Sequence, residues 1–340
     1  MSEQQAVQTK KQITGAEATR LALFEAMEAD PTVLVFGEDV ADREGGGVLG
    51  ATKGLSAKFG SLRVRSTPIS EQAIVGAAVG AAIAGMRPVA EIMLMNFISV
   101  AMDQICNHAA KIRYMSGGKT SVPLTIRTMS GAGGSFGGQH SDMLEAWLAH
   151  VPGLKVAVPS TPADQKGLLL SCIADDDPCI IIENTLLMLK PGPAPAPGHR
   201  VPLGKANIVR AGTDVTLVGY GRPMGDAAVV AQRLSDDGIS VELIDLRTIA
   251  PLDLPTVLRS AAKTRRVVIL HEAVRRFGVG AEIAATLNEE LFGELLAPVQ
   301  RLGASFTPVP YTPALEKEFL WSQAGIEAAI RKTVSWSGKK

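Results

Sequence analysis

EQAIVGAAVGAAIAGMRPVAEIMLM, residues 71–95, holds two runs of opposite character separated by Arg87. The first, 71–86, is dominated by alanine and glycine. Gly76 and Gly80 lie four apart, and Ala77, Ala81 and Ala84 keep the stretch thin nearly all round, so another helix can approach it closely. The second, 88–95, is a short apolar run of the kind that forms a strand buried on both faces. A helix feeding such a strand is half of a βαβ unit, and parallel strands need crossovers of this kind.

The rhythm extends in both directions. Strands are expected near 32–36, 124–128, 155–158 and 179–183, and helices over 15–29, 97–115 and 162–174. After Pro191-Gly192-Pro193-Ala194-Pro195-Ala196-Pro197-Gly198 the pattern resumes, with strands at 215–219, 241–245 and 267–270 and helices near 225–237 and 253–262. A segment so rich in proline cannot donate backbone hydrogen bonds regularly and reads as a surface linker. The expected fold is α/β with two parallel-sheet domains: a tail over 1–13, a first domain over 14–190, a linker over 191–204 and a second domain over 205–338.

Composition excludes several classes. Lys plus Arg and Asp plus Glu are 34 each, so no net field draws the chain to nucleic acid or an anionic membrane. The longest apolar run, 73–86, is interrupted by glycines and falls short of the roughly twenty residues that cross a bilayer. Cys106, Cys172 and Cys179 form no C-x-x-C pair and suit reduced thiols in a cytoplasmic protein.

Two residues carry chemistry on local grounds, each beside a bland alternative. Glu71 opens the 71–86 helix, where the helix N-terminus stabilises a carboxylate; on local evidence alone it reads more readily as a structural first-turn acid. His140 follows the glycine-rich stretch 130–138, which lets the backbone approach a ligand and presents an imidazole; a lone loop histidine is more often inert than catalytic. The 71–86 helix is either buried in the core or packed across a subunit boundary. Gly219-Tyr220-Gly221 and Gly225 follow a strand as a dinucleotide fingerprint does, but the third glycine is one residue late, so a nicotinamide site stays as a rival reading.

Read in order, several segments resemble one family along most of the chain: Phe36-Gly37-Glu38-Asp39-Val40, Thr67-Pro68-Ile69-Ser70-Glu71, Asn96-Phe97, Tyr114-Met115-Ser116-Gly117-Gly118, Gln139-His140-Ser141, Pro152-Gly153-Leu154-Lys155-Val156 and Asp245 through Asp253. They are similar to the beta subunits of thiamine-diphosphate-dependent pyruvate, branched-chain 2-oxo-acid and acetoin dehydrogenases, and lean to the acetoin group. The resemblance implies a pyrimidine-binding domain followed by a transketolase C-terminal-type domain. It implies catalytic roles for Glu71, which polarises the cofactor's pyrimidine ring, and for His140, which faces the substrate. It also implies cofactor contacts from Glu38, Ile69, Phe97, Tyr114 and Gln139, and a monovalent cation (K+) site at Leu124, Cys172, Ile173, Asp175 and Asp177.

Enzymes of this kind hold the diphosphate through Mg2+ bound by a G-D-G motif, which this chain lacks. The resemblance therefore implies an alpha subunit in an α2β2 heterotetramer, with a lipoyl acyltransferase core as a further partner. Gly137 and Gly138 stand where relatives usually carry alanines, which implies a wider pocket. Within the thiamine class the rivals are half of a split transketolase and a free-standing decarboxylase or carboligase. Outside it they are a nicotinamide oxidoreductase and a noncatalytic scaffold subunit.

Overall fold

The structure, a computed structural model, describes residues 11–338; the first ten residues of the expected tail lie outside them. Two sheets organise the chain. The larger has seven strands in the order Thr248–Ala250, Lys155–Ala157, Cys179–Asn184, Thr125–Ser130, Arg87–Leu94, Val33–Gly37, Val64–Ser66. All its pairings are parallel except that of Thr248–Ala250 with Lys155–Ala157. The smaller has five strands, Gln300–Ala304, Val267–Val274, Val215–Gly219, Val241–Asp245 and Asn207–Arg210, of which only the last runs antiparallel. Every residue of Cys179–Asn184 and of Val215–Gly219 is buried, as strands covered on both faces require.

Local chemistry sets the long helices. Thr14 accepts from the Glu17 amide while Glu17 reaches back to the Thr14 amide, a capping box that starts helix Gly15–Ala29. Thr161 caps Pro162–Ala174, with Pro162 at its first position. The expected helix over 97–115 is broken into a 3-10 segment, Met95–Ala101, a wide turn, Gln104–Ala109, and a short helix, Ile112–Met115. Tertiary contacts impose the break. Asn96 is held by Gly138 and Asp142, and Gly153 packs so closely that a Cβ there would lie 2.1 Å from the Ala110 carbonyl oxygen.

The proline-rich segment is anchored at its start, because Gly192–Pro193 pairs antiparallel with Gln12–Ile13. One hydrophobic cluster runs from Ile74, Val79 and Ile126 to Ile244, Ile269 and Leu287, so apolar packing continues across both sheets. Tyr220, in the turn that mimics a dinucleotide fingerprint, is buried and donates to Glu145 Oε1 at 2.7 Å. A Cβ on Gly221 of that turn would meet Val158 at 3.2 Å. This turn is therefore packed against the first sheet.

Candidate active site

Helix Glu71–Ile83 begins directly beyond strand Val64–Ser66, whose parallel neighbour Val33–Gly37 ends just before Glu38. The Thr67 amide donates to the Gly37 carbonyl at 2.9 Å, tying the two strand exits together. Glu38 and Glu71 are thereby brought into one region. Burial pushes the Glu38 carboxyl up from its ordinary value, and the charges of Glu71, Asp39 and Glu91 push it further.

The next strand, Arg87–Leu94, runs into the 3-10 segment that carries Phe97, and Thr125–Ser130 runs into the glycine-rich loop that carries His140. The rings of Phe97 and His140 meet edge to face, with centroids 5.5 Å apart at 83°. Glu38, Glu71, Phe97 and His140 thus leave the carboxyl ends of four adjacent parallel strands, where α/β sheets place their ligand sites.

Glu71 is 9% exposed, and among the described residues nothing donates a hydrogen bond to its carboxylate. The Ser70 side chain does not cap the helix; its hydroxyl donates to the Pro68 carbonyl at 3.1 Å. A carboxylate held mostly out of water at a helix N-terminus, with no partner from its own chain, suits a ligand that supplies a ring nitrogen. These residues fit the pyrimidine half of thiamine diphosphate.

Other expected residues fall elsewhere. Ile69 is 81% exposed and Gln139 is exposed, both beside the site but covered by nothing in this chain. Tyr114 is 90% exposed and lines a groove of about 780 Å³ with Arg113, Gly117, Pro152, Asp177 and Pro251. That groove is at the amino edge of the large sheet, away from Glu38 and Glu71, so the structure does not bring Tyr114 to them.

Leu124, Cys172, Ile173, Asp175 and Asp177 gather at the same amino edge, where side-chain cations reach the oxygens of Ile173, Asp175 and Asp177. Arg87 Nη1 donates to the Ile173 and Asp175 carbonyls at 3.2 and 2.9 Å. Lys155 lies 2.7 Å from both oxygens of Asp175, and Asp177 pairs with Arg113. Basic side chains thus lie on the oxygens of Ile173, Asp175 and Asp177, while the Leu124 and Cys172 carbonyls accept from the Cys179 and Asp175 amides at 2.8 and 3.1 Å. Among the described residues no group of three or more His, Cys, Asp or Glu side chains is placed to hold a metal ion.

Several neighbours escaped sequence reasoning. Arg127, 1% exposed, donates from Nε and Nη2 to Glu183 at 3.0 and 2.8 Å and from Nη1 to Glu91. Glu272 and Glu316 in the second half accept amides of the glycine-rich loop, and Asn96 and Asp142 brace its far end. Asn96 and Arg127 stood in segments that resemble the family, but neither carried a role there. A Cβ on Gly137 would lie in ordinary contact with the Tyr311 ring, at 3.4 Å, and its φ of +76° favours glycine.

Comparison with known proteins agrees with this geometry. The pyrimidine-binding domain of transketolase matches residues 11–189, and the transketolase C-terminal domain matches 204–326. The chain is 46% identical over 321 residues to the beta subunit of acetoin:2,6-dichlorophenolindophenol oxidoreductase of Cupriavidus necator, covering 92% of this chain and 95% of that one. It is 42% identical to the 2-oxoisovalerate dehydrogenase beta subunit of Bacillus subtilis, covering 93% and 97%. It is 45% identical to the mitochondrial pyruvate dehydrogenase E1 subunit beta-2 of Oryza sativa subsp. japonica, covering 90% and 82%. A solved split-gene transketolase, described as an inactive beta4 tetramer, superposes with a TM-score of 0.77 at 22% identity over 95% of this chain and 98% of that one, a likeness of fold.

Fold and site define a transketolase-like protein with a pyrimidine-binding half. The chain belongs to the family of thiamine-diphosphate-dependent 2-oxo-acid and acetoin dehydrogenase beta subunits.

Proposed function

We propose that this chain is the beta subunit of a thiamine-diphosphate-dependent dehydrogenase that cleaves acetoin or a 2-oxo acid and passes the two-carbon or acyl unit to lipoamide. One observation carries the reading: the Glu71 carboxylate stands at a helix N-terminus without a partner from its own chain, beside Glu38 and in a region shared with Phe97 and His140. Bound thiamine diphosphate supplies a carbon nucleophile and an electron sink. Glu71 holds a proton against the pyrimidine nitrogen, Phe97 packs on that ring, and His140 moves a proton at the substrate. The 46% identity to an acetoin oxidoreductase subunit supports acetoin as the first substrate to test.

Diphosphate and Mg2+ are assigned to an alpha subunit in an α2β2 assembly, since this chain contains no G-D-G motif. Helix Glu71–Ile83 supports the partner. Ile74, Val75, Ala78, Val79 and Ala82 face the core, while Ala73, Ala77, Gly80 and Ala84 lie exposed as a small apolar strip. Obligate interfaces of this kind bury about 2,000 Å² or more. The domain limits are taken as 14–190 and 205–338 with the linker between, and a lipoyl acyltransferase core as a further partner. A reducing cytoplasmic compartment fits Cys106, Cys172 and Cys179, none of which is in a disulfide.

The test is Glu71→Gln in the assembled enzyme. Turnover is expected to fall by at least about 10²-fold with assembly intact, the low end for an acid–base role. Unimpaired turnover would remove Glu71 from the mechanism.

A further inference from the structure

The glycine-rich loop that delivers His140 is gripped at both ends. On the His140 side, Asn96 Nδ2 donates to the Gly138 carbonyl at 3.2 Å and to Asp142 Oδ2 at 2.8 Å, and the Asp142 amide returns to Asn96 Oδ1 at 3.2 Å. Ser130 Oγ closes that end by donating to the Asp142 carbonyl at 2.6 Å.

At the other end the loop turns its amides toward the second half of the chain. The Ala132 amide donates to Glu272 Oε1 at 2.9 Å, the Gly133 amide to Glu316 Oε1 at 2.8 Å and the Ser135 amide to Glu316 Oε2 at 3.0 Å. Successive loop amides aimed to one side form an anion-binding nest, here filled by the protein's own carboxylates. Glu316 and Glu272 are 2% and 4% exposed, surroundings in which amide hydrogen bonds are stronger than in water, and burial pushes the Glu272 carboxyl up to about 7. Glu272 is itself fixed by Asn184 Nδ2 at 2.8 Å and by Arg222 Nε at 3.5 Å. Neither carboxylate touches the Glu71 region, so neither is a catalytic residue.

We propose that Glu316, with Glu272 beside it, is a positioning residue: it fixes the 131–138 loop from the C-terminal half and so holds His140 against Phe97 in its working orientation. The proposal rests on the catalytic reading of His140 given above. It assigns the second half of this chain a direct part in setting the site.

Two measurements test it. In the full chain, Glu316→Gln keeps the side chain's volume but replaces one accepting oxygen by a donor. Hydrogen exchange at the amides of residues 132–135 is expected to quicken at least about tenfold, with exchange in strand Cys179–Asn184 unchanged. Unchanged exchange in the loop overturns the proposal. In the enzyme co-expressed with its alpha subunit, Glu316→Gln is expected to lower kcat about tenfold with KM nearly unchanged, and Glu316→Gln with His140→Ala to be no slower than His140→Ala alone. A full further tenfold loss in the double variant would show Glu316 acting independently of His140 and overturn it.

Glu272→Gln provides the same pair of readouts at Ala132 should Glu316→Gln not fold. If His140→Ala alone keeps full turnover, the catalytic reading of His140 fails and the positioning role falls with it. The exchange result then still reports separately whether the loop is anchored.

Discussion

Phe97 and His140 meet edge to face, 5.5 Å between ring centroids, although the two lie on excursions from different strands of the large sheet. The contact joins the residue expected to pack on the cofactor to the residue expected to serve the substrate. An aromatic pair, as Phe97 would form with the cofactor's pyrimidine ring, contributes about 0.5–1.5 kcal/mol beyond area burial. Phe97→Leu should therefore weaken thiamine diphosphate binding to the assembled enzyme by a factor of about 2 to 12, and Phe97→Tyr by less. Equal affinity in the wild type and Phe97→Leu would separate this ring from the cofactor.

Arg127 pairs with two buried carboxylates under the same strand ends. It serves Glu91 and Glu183, and Glu183 also accepts from Gln165 Nε2 at 2.6 Å and Thr19 Oγ1 at 3.1 Å. Removing one partner of a buried charged cluster costs about 3–5 kcal/mol, because the remaining charges stay desolvated. Urea denaturation of Arg127→Leu should show a loss of that order. A loss under about 1 kcal/mol would mean that water reaches the cluster.

Asp245 is 3% exposed at the end of its strand. Burial, then the charge of Asp164, pushes its carboxyl from 3.8 up to about 7, against the opposing Arg247 amide. A folded value above the unfolded one favours the fold while the group is protonated. That contribution is fully present below about pH 4 and is lost as pH rises through about 7. Asp245→Asn removes the dependence, so its stability relative to wild type should rise between pH 5 and 7, by at most about 1.4 kcal/mol per pH unit. Denaturation curves separated by the same gap at both pH values would contradict it.

The exposed strip on helix Glu71–Ile83 makes a different prediction. Ala77 faces away from the core, so Ala77→Arg should leave the unfolding midpoint of the chain within the ordinary range for surface changes, about ±0.5 kcal/mol. The same change places a charge on the small apolar strip and should abolish co-purification with the alpha subunit. Normal assembly of Ala77→Arg by light scattering would put the partner elsewhere.

What could be read from sequence was local. Helices Gly15–Ala29 and Pro162–Ala174 keep their expected limits because Thr14, Glu17, Thr161 and Pro162 mark their starts in the chain itself. Strands Val215–Gly219 and Val241–Asp245 keep theirs because both are short β-branched and leucine-bearing runs buried throughout. The 97–115 stretch reads as one helix and is not, since Gly138 and Asp142, which hold Asn96, and Gly153 act on it from loops that no periodicity announces. Glu71 and His140 were visible through the motifs around them. Glu316 was not, because its partners are backbone amides some 180 residues earlier, and an amide leaves no mark in sequence.

The central claim is that this chain holds only the pyrimidine side of a shared cofactor site. Calorimetric titration of magnesium thiamine diphosphate into the chain alone, and then into the chain co-expressed with an alpha subunit, tests it most directly. Tight binding by the pair and none by the chain alone is the predicted result; tight binding by the chain alone would contradict the shared site.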